Sequence, residues 1–246
     1  MNLYFWIPIS FAVLFSGYVL FSFFRIRGLI RESATLINES KPYERFVSAK
    51  ADKVLFIGDS TGVGVGASSP DDSVAGRFGA DYPEMTIENL SISGRKTAEI
   101  IPDLKKIPKN SYEYVIIQVG GNDIIGFTNI EKLKSNLDVV LSEAKRIGEK
   151  VLVMTSGNVG NAPIFPRPIA FLLEKQTRKV REVFIKKTSN YNAVYIDLFK
   201  EKINDLFSKE PLKYHAKDLF HPNSDGYGLW YQNLKNFHII DTNNFN

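Results

Sequence analysis

Four short groups of residues carry side chains that could do chemistry together. The first is Gly58-Asp59-Ser60, which follows the apolar run Val54-Leu55-Phe56-Ile57 and precedes glycines at 62, 64 and 66. An apolar run bounded by glycine predicts a strand buried on both faces, as in a parallel sheet covered by helices. Ser60 then stands beyond its carboxyl end, where open parallel sheets bind ligands. A serine hydroxyl is a weak nucleophile until a base takes its proton, and histidine is the side chain suited to that near neutral pH. The chain has three: His215, His221 and His238. His221 is the best placed, because Asp218 lies three residues earlier and a turn can bring its carboxylate to the second ring nitrogen. The same spacing also occurs in structural turns and metal pairs, but no third or fourth ligand of suitable spacing lies nearby. Acyl transfer further requires donors for an oxyanion. Gly94 offers an unobstructed backbone N–H and Asn122 a side-chain amide, although a positive-φ turn and a turn cap would explain them equally.

The elements that must position these groups can be read from periodicity. Strands are expected at about 53–58, 85–91, 112–119, 151–154 and 193–198. Helices are expected at 96–105, at 129–148 with Leu133, Leu137, Val140, Leu141 and Ala144 on one face, from the loop 156–168 to about 187, and after His221 with Leu229, Trp230 and Leu234 inward. Alternation of strand and helix implies parallel strands joined by right-handed crossovers, hence a three-layer α/β/α sandwich on a five-stranded parallel sheet. The four polar groups fall just past three strands and before the last helix. Ile164 and Phe165, in the proline-rich loop, are expected to line an apolar groove.

At 246 residues, 44% hydrophobic and 24% charged, the chain is long enough for one α/β domain and is too apolar for wholesale disorder. A net charge of +4, spread among mixed charges without an aromatic-and-basic stripe, argues against nucleic acid as a partner. The absence of cysteine removes disulfides, thiolate metal sites and a cysteine nucleophile. Leu3 to Phe24 carries no charge and matches the roughly 20 apolar residues of a membrane span, whereas a signal-peptide core is about 7–15. We therefore expect an uncleaved anchor over 1–24, with Tyr4 and Trp6 near one interface. A juxtamembrane linker over 25–50, partly helical from Gly28 to Glu39, a catalytic domain over 51–240 and a tail over 241–246 follow. Arg25, Arg27 and Arg31 flank the span on its C-terminal side, so the positive-inside rule favours a cytoplasmic-facing domain, against the consideration that an N-terminal hydrophobic segment is the usual export signal.

Taken in order, the four groups resemble the SGNH hydrolase superfamily, the GDSL esterases and lipases, from about Lys53 to Phe237. The first family block matches Gly58-Asp59-Ser60, the second Gly94, the third Gly120-Gly121-Asn122-Asp123, and the last Asp218-Leu219-Phe220-His221-Pro222. The resemblance implies a flavodoxin-like sandwich and a catalytic set of Ser60, His221 and Asp218. It also implies an oxyanion hole of the Ser60 N–H, the Gly94 N–H and Asn122, and neither cofactor nor metal. Asp59 and Asp123 are expected as turn supports, Arg95 as a solvated side chain, His215 as a loop residue bordering the cleft and His238 as a surface residue. The expected activity is that of a membrane-anchored serine ester hydrolase acting on lipid or lysophospholipid-like acyl esters or on thioesters. A glycan O-acetylesterase and a catalytically inactive membrane-tethered binding module are the alternatives.

Overall fold

The computed structural model describes residues 3–237. Five parallel strands form one sheet: β1 (Lys53–Gly58), β2 (Thr86–Asn89), β3 (Tyr112–Gln118), β4 (Gly148–Met154) and β5 (Val194–Ile196), in the order β2-β1-β3-β4-β5. This is the flavodoxin-like order, whose switch point lies between β1 and β3. The register there pairs Leu55 with Val115, Ile57 with Ile117 and Gly58 with Gln118.

Both faces of the sheet are apolar, and alternation divides them. Leu55, Ile57, Val115, Ile117, Val151 and Val153 face α4 (Ile101–Lys106), α6 (Ile130–Ile147) and α7 (Arg167–Asn190). Val54, Phe56, Tyr114, Ile116, Leu152 and Met154 face α3 (Val74–Asp81) and α10 (Ser224–Lys235). The predicted face of α6 is buried at every one of its five positions, and the Asn129 side chain caps the helix by accepting from the N–H of Glu131 and Lys132. In α10 the inward set is Tyr227, Trp230, Tyr231 and Leu234, with Leu229 only half-buried.

Short elements complete the fold: α2 (Ser60–Val63), α5 (Gly121–Ile125), α8 (Leu206–Lys209) and α9 (Pro211–Tyr214). Sequence periodicity does not disclose α3, an eight-residue helix that contains Gly76 and Gly79. Both glycines are required by contact rather than by a turn: a Cβ at Gly76 would strike the Pro70 carbonyl, and one at Gly79 the Tyr43 ring.

The N-terminal helix α1 (Leu3–Glu39) is unbroken through Phe24 and is long and apolar enough to cross a membrane. Its side chains are described at Ser10 and from Val13 onward, so the interfacial positions of Tyr4 and Trp6 lie outside the described residues, as do His238 and the tail 241–246. The segment expected as a linker is more ordered than a linker requires. Residues 28–39 simply continue α1, and Arg45 forms an antiparallel bridge with Ile87 on the outer edge of β2. Arg45 also donates to the carbonyls of Gly79 (2.6 Å), Tyr82 (2.5 Å) and Met85 (2.9 Å), which closes off the turn between α3 and β2.

Removing a charged donor that satisfies three carbonyls strands those acceptors. We expect Arg45→Ala to destabilise the domain by about 1–3 kcal/mol in urea unfolding of the detergent-solubilised chain. A loss under about 0.5 kcal/mol, the range of ordinary surface substitutions, would show that residues 43–47 only lie against the sheet.

Candidate active site

The site is assembled where β1 and β3 end side by side. Gly58 allows that close approach, since a Cβ there would overlap the Gln118 carbonyl, and the Asp59 N–H donates to the same carbonyl at 2.9 Å. Asp59 caps the next turn, its Oδ1 accepting from the Thr61 N–H (2.9 Å) and Thr61 Oγ1 (2.8 Å), and this lifts Ser60 to the first position of α2. The Ser60 N–H is left without a protein partner among the described residues.

His221 reaches Ser60 from the other end of the chain. Its Nε2 lies 2.9 Å from Ser60 Oγ, and its Nδ1 lies 2.6 Å from Asp218 Oδ2. Asp218 Oδ1 accepts the N–H of Phe220 and of His221, each at 3.0 Å, so the Asp-x-x-His turn is built around the carboxylate it presents. Closing so tight a turn places Leu219 in the left-handed region at φ 55, an uncommon conformation for leucine. Two contacts bind this turn to the serine's loop. Gly66, at φ 95, approaches so closely that a Cβ would meet Pro222 and Ala216, and the buried Tyr227 hydroxyl donates to the Val65 carbonyl at 2.8 Å.

Asn122 and Gly94 come from the ends of β3 and β2. Asn122 Nδ2 donates to the Arg95 carbonyl at 3.0 Å, which leaves its second amide hydrogen unassigned. Asp123 Oδ2 accepts from the Thr97 N–H (2.8 Å) and Oγ1 (2.7 Å), so the third block holds the loop of the second. Gly94 sits on that loop at φ 87, exposed, with no partner for its N–H among the described residues. It is not among the residues that line the cleft. Arg95 is not simply solvated: it donates to the Leu90 carbonyl and pairs with Asp103 at 2.7 Å.

The cleft encloses about 700 Å³ including its open mouth. Ser60, Asn122 and His221 line it, and Val159, Ala162, Leu198, Phe207, Phe220 and Trp230 supply the apolar surface. Asn158, Asn161, Asp205 and His215 add polar atoms to the lining. Of these four only His215 is expected at the cleft from sequence; Asn158 and Asn161 share the loop after β4 and Asp205 precedes α8, and no motif marks either place. Ile164 and Phe165 do not line the cleft. The Ile164 N–H pairs with the Leu219 carbonyl and its side chain is buried, while Phe165 packs edge-on against Phe220 at 5.9 Å. Among the described residues no cluster of His, Cys, Asp and Glu could hold a metal.

Two buried carboxylates near His221 behave oppositely. Burial pushes Asp218 upward, but its hydrogen bond and charge interaction with His221 and its two backbone donors outweigh this and hold it below the usual range. Asp59 has fewer donors, so burial dominates and raises it to about 6. Burial also lowers His215, which lies edge-on to Phe207 at 5.1 Å with Nδ1 3.0 Å from the Pro211 carbonyl.

A parallel α/β sandwich with a cleft and a serine hydrogen-bonded to histidine at the carboxyl end of its sheet defines an SGNH-type carboxylic ester hydrolase. The chain belongs to the GDSL-like lipase/acylhydrolase family, which it matches over residues 56–229. No curated protein sequence matches it. Among solved structures it is similar to a lipolytic G-D-S-L family member from Veillonella parvula (18% identity, 77% of this chain and 100% of that one, TM-score 0.62). It is also similar to phospholipase A1 from Streptomyces albidoflavus (16%, 76% and 99%, 0.59). A third is the psychrotrophic esterase EstA from a Pseudoalteromonas species (16%, 75% and 95%, 0.54). At these identities the likeness is one of fold.

The raised Asp59 has a consequence for stability. The folded state holds its proton more tightly than the unfolded state, so the stability linked to it is complete below 3.8, the ordinary value for an aspartate, and is lost as pH rises through about 6. Asn in its place retains an oxygen for the Thr61 N–H and cannot ionise. We expect Asp59→Asn to gain about 2–3 kcal/mol relative to the parent between pH 3.5 and pH 7.5, read as the change in the difference between their urea unfolding free energies. A difference that does not change with pH would show that Asp59 ionises normally.

Proposed function

We propose that the chain is a membrane-anchored serine ester hydrolase that works through an acyl-enzyme, with Ser60 as nucleophile, His221 as general base and acid, and Asp218 as the group that orients His221 and stabilises its imidazolium. The observation that carries this reading is the unbroken line from Ser60 Oγ through the His221 ring to Asp218, at 2.9 and 2.6 Å. With the Nδ1 proton donated to Asp218, Nε2 presents its lone pair to the serine hydroxyl. Ser60 Oγ attacks the ester carbonyl carbon as its proton passes to Nε2. The tetrahedral oxyanion is held by the Ser60 N–H, the Gly94 N–H and the second hydrogen of Asn122 Nδ2. Collapse breaks the bond to the alkoxy oxygen, which leaves as alcohol with the proton from Nε2. Water then attacks the acyl-enzyme, His221 takes its proton, and the carboxylic acid departs as Ser60 recovers its hydrogen.

The apolar wall of Val159, Ala162, Leu198, Phe207, Phe220 and Trp230 supports an acyl chain longer than acetyl, and α1 supports a substrate in or near a membrane. A lipid or lysophospholipid-like ester is the substrate class we propose. The flank of Arg25, Arg27 and Arg31 supports a cytoplasmic-facing domain.

Ser60→Ala is expected to abolish both labelling by a fluorophosphonate probe and turnover of nitrophenyl esters, with far-ultraviolet circular dichroism unchanged; retained turnover would remove the nucleophile from this account. Asn122→Ala should reduce kcat by about 10²–10³, and a rate within twofold of the parent would leave Asn122 as a turn residue only. In a chain-length series, activity confined to acetate would exclude the lipid reading and favour a glycan acetylesterase.

A further inference from the structure

The end of the apolar stretch is fastened to the rim of the cleft. Arg25, the first charge after Phe24, donates through Nη2 to the Pro163 carbonyl at 2.8 Å and through Nη1 to the Ile164 carbonyl at 3.4 Å. A guanidinium is costly in hydrocarbon and settles at the headgroup level, so the carbonyls it binds lie at that level too. Pro163 directly follows Ala162, which lines the cleft.

Three residues beyond Ile164, α7 begins with an apolar surface turned to solvent. Ile169 is 44%, Phe171 57% and Leu172 53% exposed, and Arg167 and Lys175 stand exposed among them, with Lys175 Nζ 4.3 Å from the Phe171 ring centroid. The rest of α7 is amphipathic in the ordinary way, with Leu173, Gln176, Thr177 and Val180 buried. This part of the helix also touches the cleft rim: Gly160 approaches it so closely that a Cβ would strike the Ala170 carbonyl and Glu174. An apolar patch interleaved with cations suits a bilayer interface carrying anionic headgroups. Its place beside the Arg25 contact makes it continuous with the membrane level that α1 sets.

We infer that the first two turns of α7, with Ile169, Phe171 and Leu172 inserted and Arg167 and Lys175 at the headgroups, form a second membrane contact that holds the cleft mouth against the lipid surface. This rests on the reading of α1 as an anchor and of the cleft as an ester site, and it adds a route: the acyl ester passes from the bilayer into the cleft without crossing water.

The native chain has no cysteine, so single probes are unambiguous. The full-length chain carrying Phe171→Cys, labelled with an environment-sensitive NBD fluorophore, is reconstituted in phosphatidylcholine–phosphatidylglycerol vesicles with and without doxyl-labelled lipid. Lys109→Cys, exposed just before β3 at the opposite end of the sheet, is the reference. The contact predicts blue-shifted emission and loss of most of it to doxyl lipid at position 171, and neither at position 109. An unquenched probe at 171, or equal quenching at both positions, overturns it. A blue shift that persists in detergent and grows with protein concentration would mean that a second copy of the chain covers the patch, and overturns it as well. Fluorophosphonate labelling and nitrophenyl butyrate turnover by the unmodified chain separate the two readings: activity with an unquenched probe leaves the ester hydrolase standing and removes the contact, while quenching without activity does the reverse.

Discussion

The hydrogen bond between His221 and Ser60 joins positions 161 residues apart, and most of the domain's geometry serves to make that distance 2.9 Å. Chain entropy opposes any such contact. It holds because both partners are fixed to the same sheet. Ser60 follows β1 through a turn capped by Asp59 and packed against β3 at Gly58, with no room for a side chain. His221 precedes α10, which is fastened to the second face of the sheet by Tyr227, Trp230, Tyr231 and Leu234. Gly66 and the hydroxyl of Tyr227 bind the two turns directly.

Within the site, electrostatics distinguish the two buried carboxylates Asp218 and Asp59. Asp218 is fully buried and accepts from the imidazole and two backbone amides, so its charge is compensated and retained. Asp59 is almost as buried, yet Oδ1 accepts only from Thr61. The different count of donors is why burial wins at one position and loses at the other. Asp218 is therefore the carboxylate able to stabilise an imidazolium, and Asp59 is a cap that becomes less comfortable as it ionises.

How much of this could be read from sequence follows from where each signal resides. The strands were legible because burial on both faces writes unbroken apolar runs, as in Val54–Ile57 and Val115–Ile117, and α6 because its long stripe repeats at helical spacing. The polar groups around Ser60, Asn122 and His221 were legible because each sits at a strand or helix end with residue types that turns and catalysis both favour. The apolar wall was not, since Leu198, Phe207 and Trp230 meet only after the chain has folded. Ile164 and Phe165 misled for a related reason: an apolar pair in a loop can face the cleft or the core, and the backbone pairing of Ile164 with Leu219 turns it inward. The short α3, interrupted by two glycines, lacked enough periodic positions to be recognised.

The continuity of α1 changes what an anchor would do. At about 1.5 Å per residue, the helix of 37 residues is roughly 55 Å long, and a bilayer core takes roughly 30 Å of that. Some two dozen ångströms, about 16 residues at the same rise, therefore remain outside, where Arg25, Ile26, Leu29, Glu32, Ser33 and Leu36 form a partly buried stripe at helical spacing. A flexible linker would let the domain rotate freely above the surface. An unbroken helix joined to the cleft rim by Arg25 and to the β2 edge through the segment bearing Arg45 does not. On the reading of α1 as a span, the face presented to the lipid is set by the same two arginines that keep the helix against the domain, so anchoring and substrate access become one structural property.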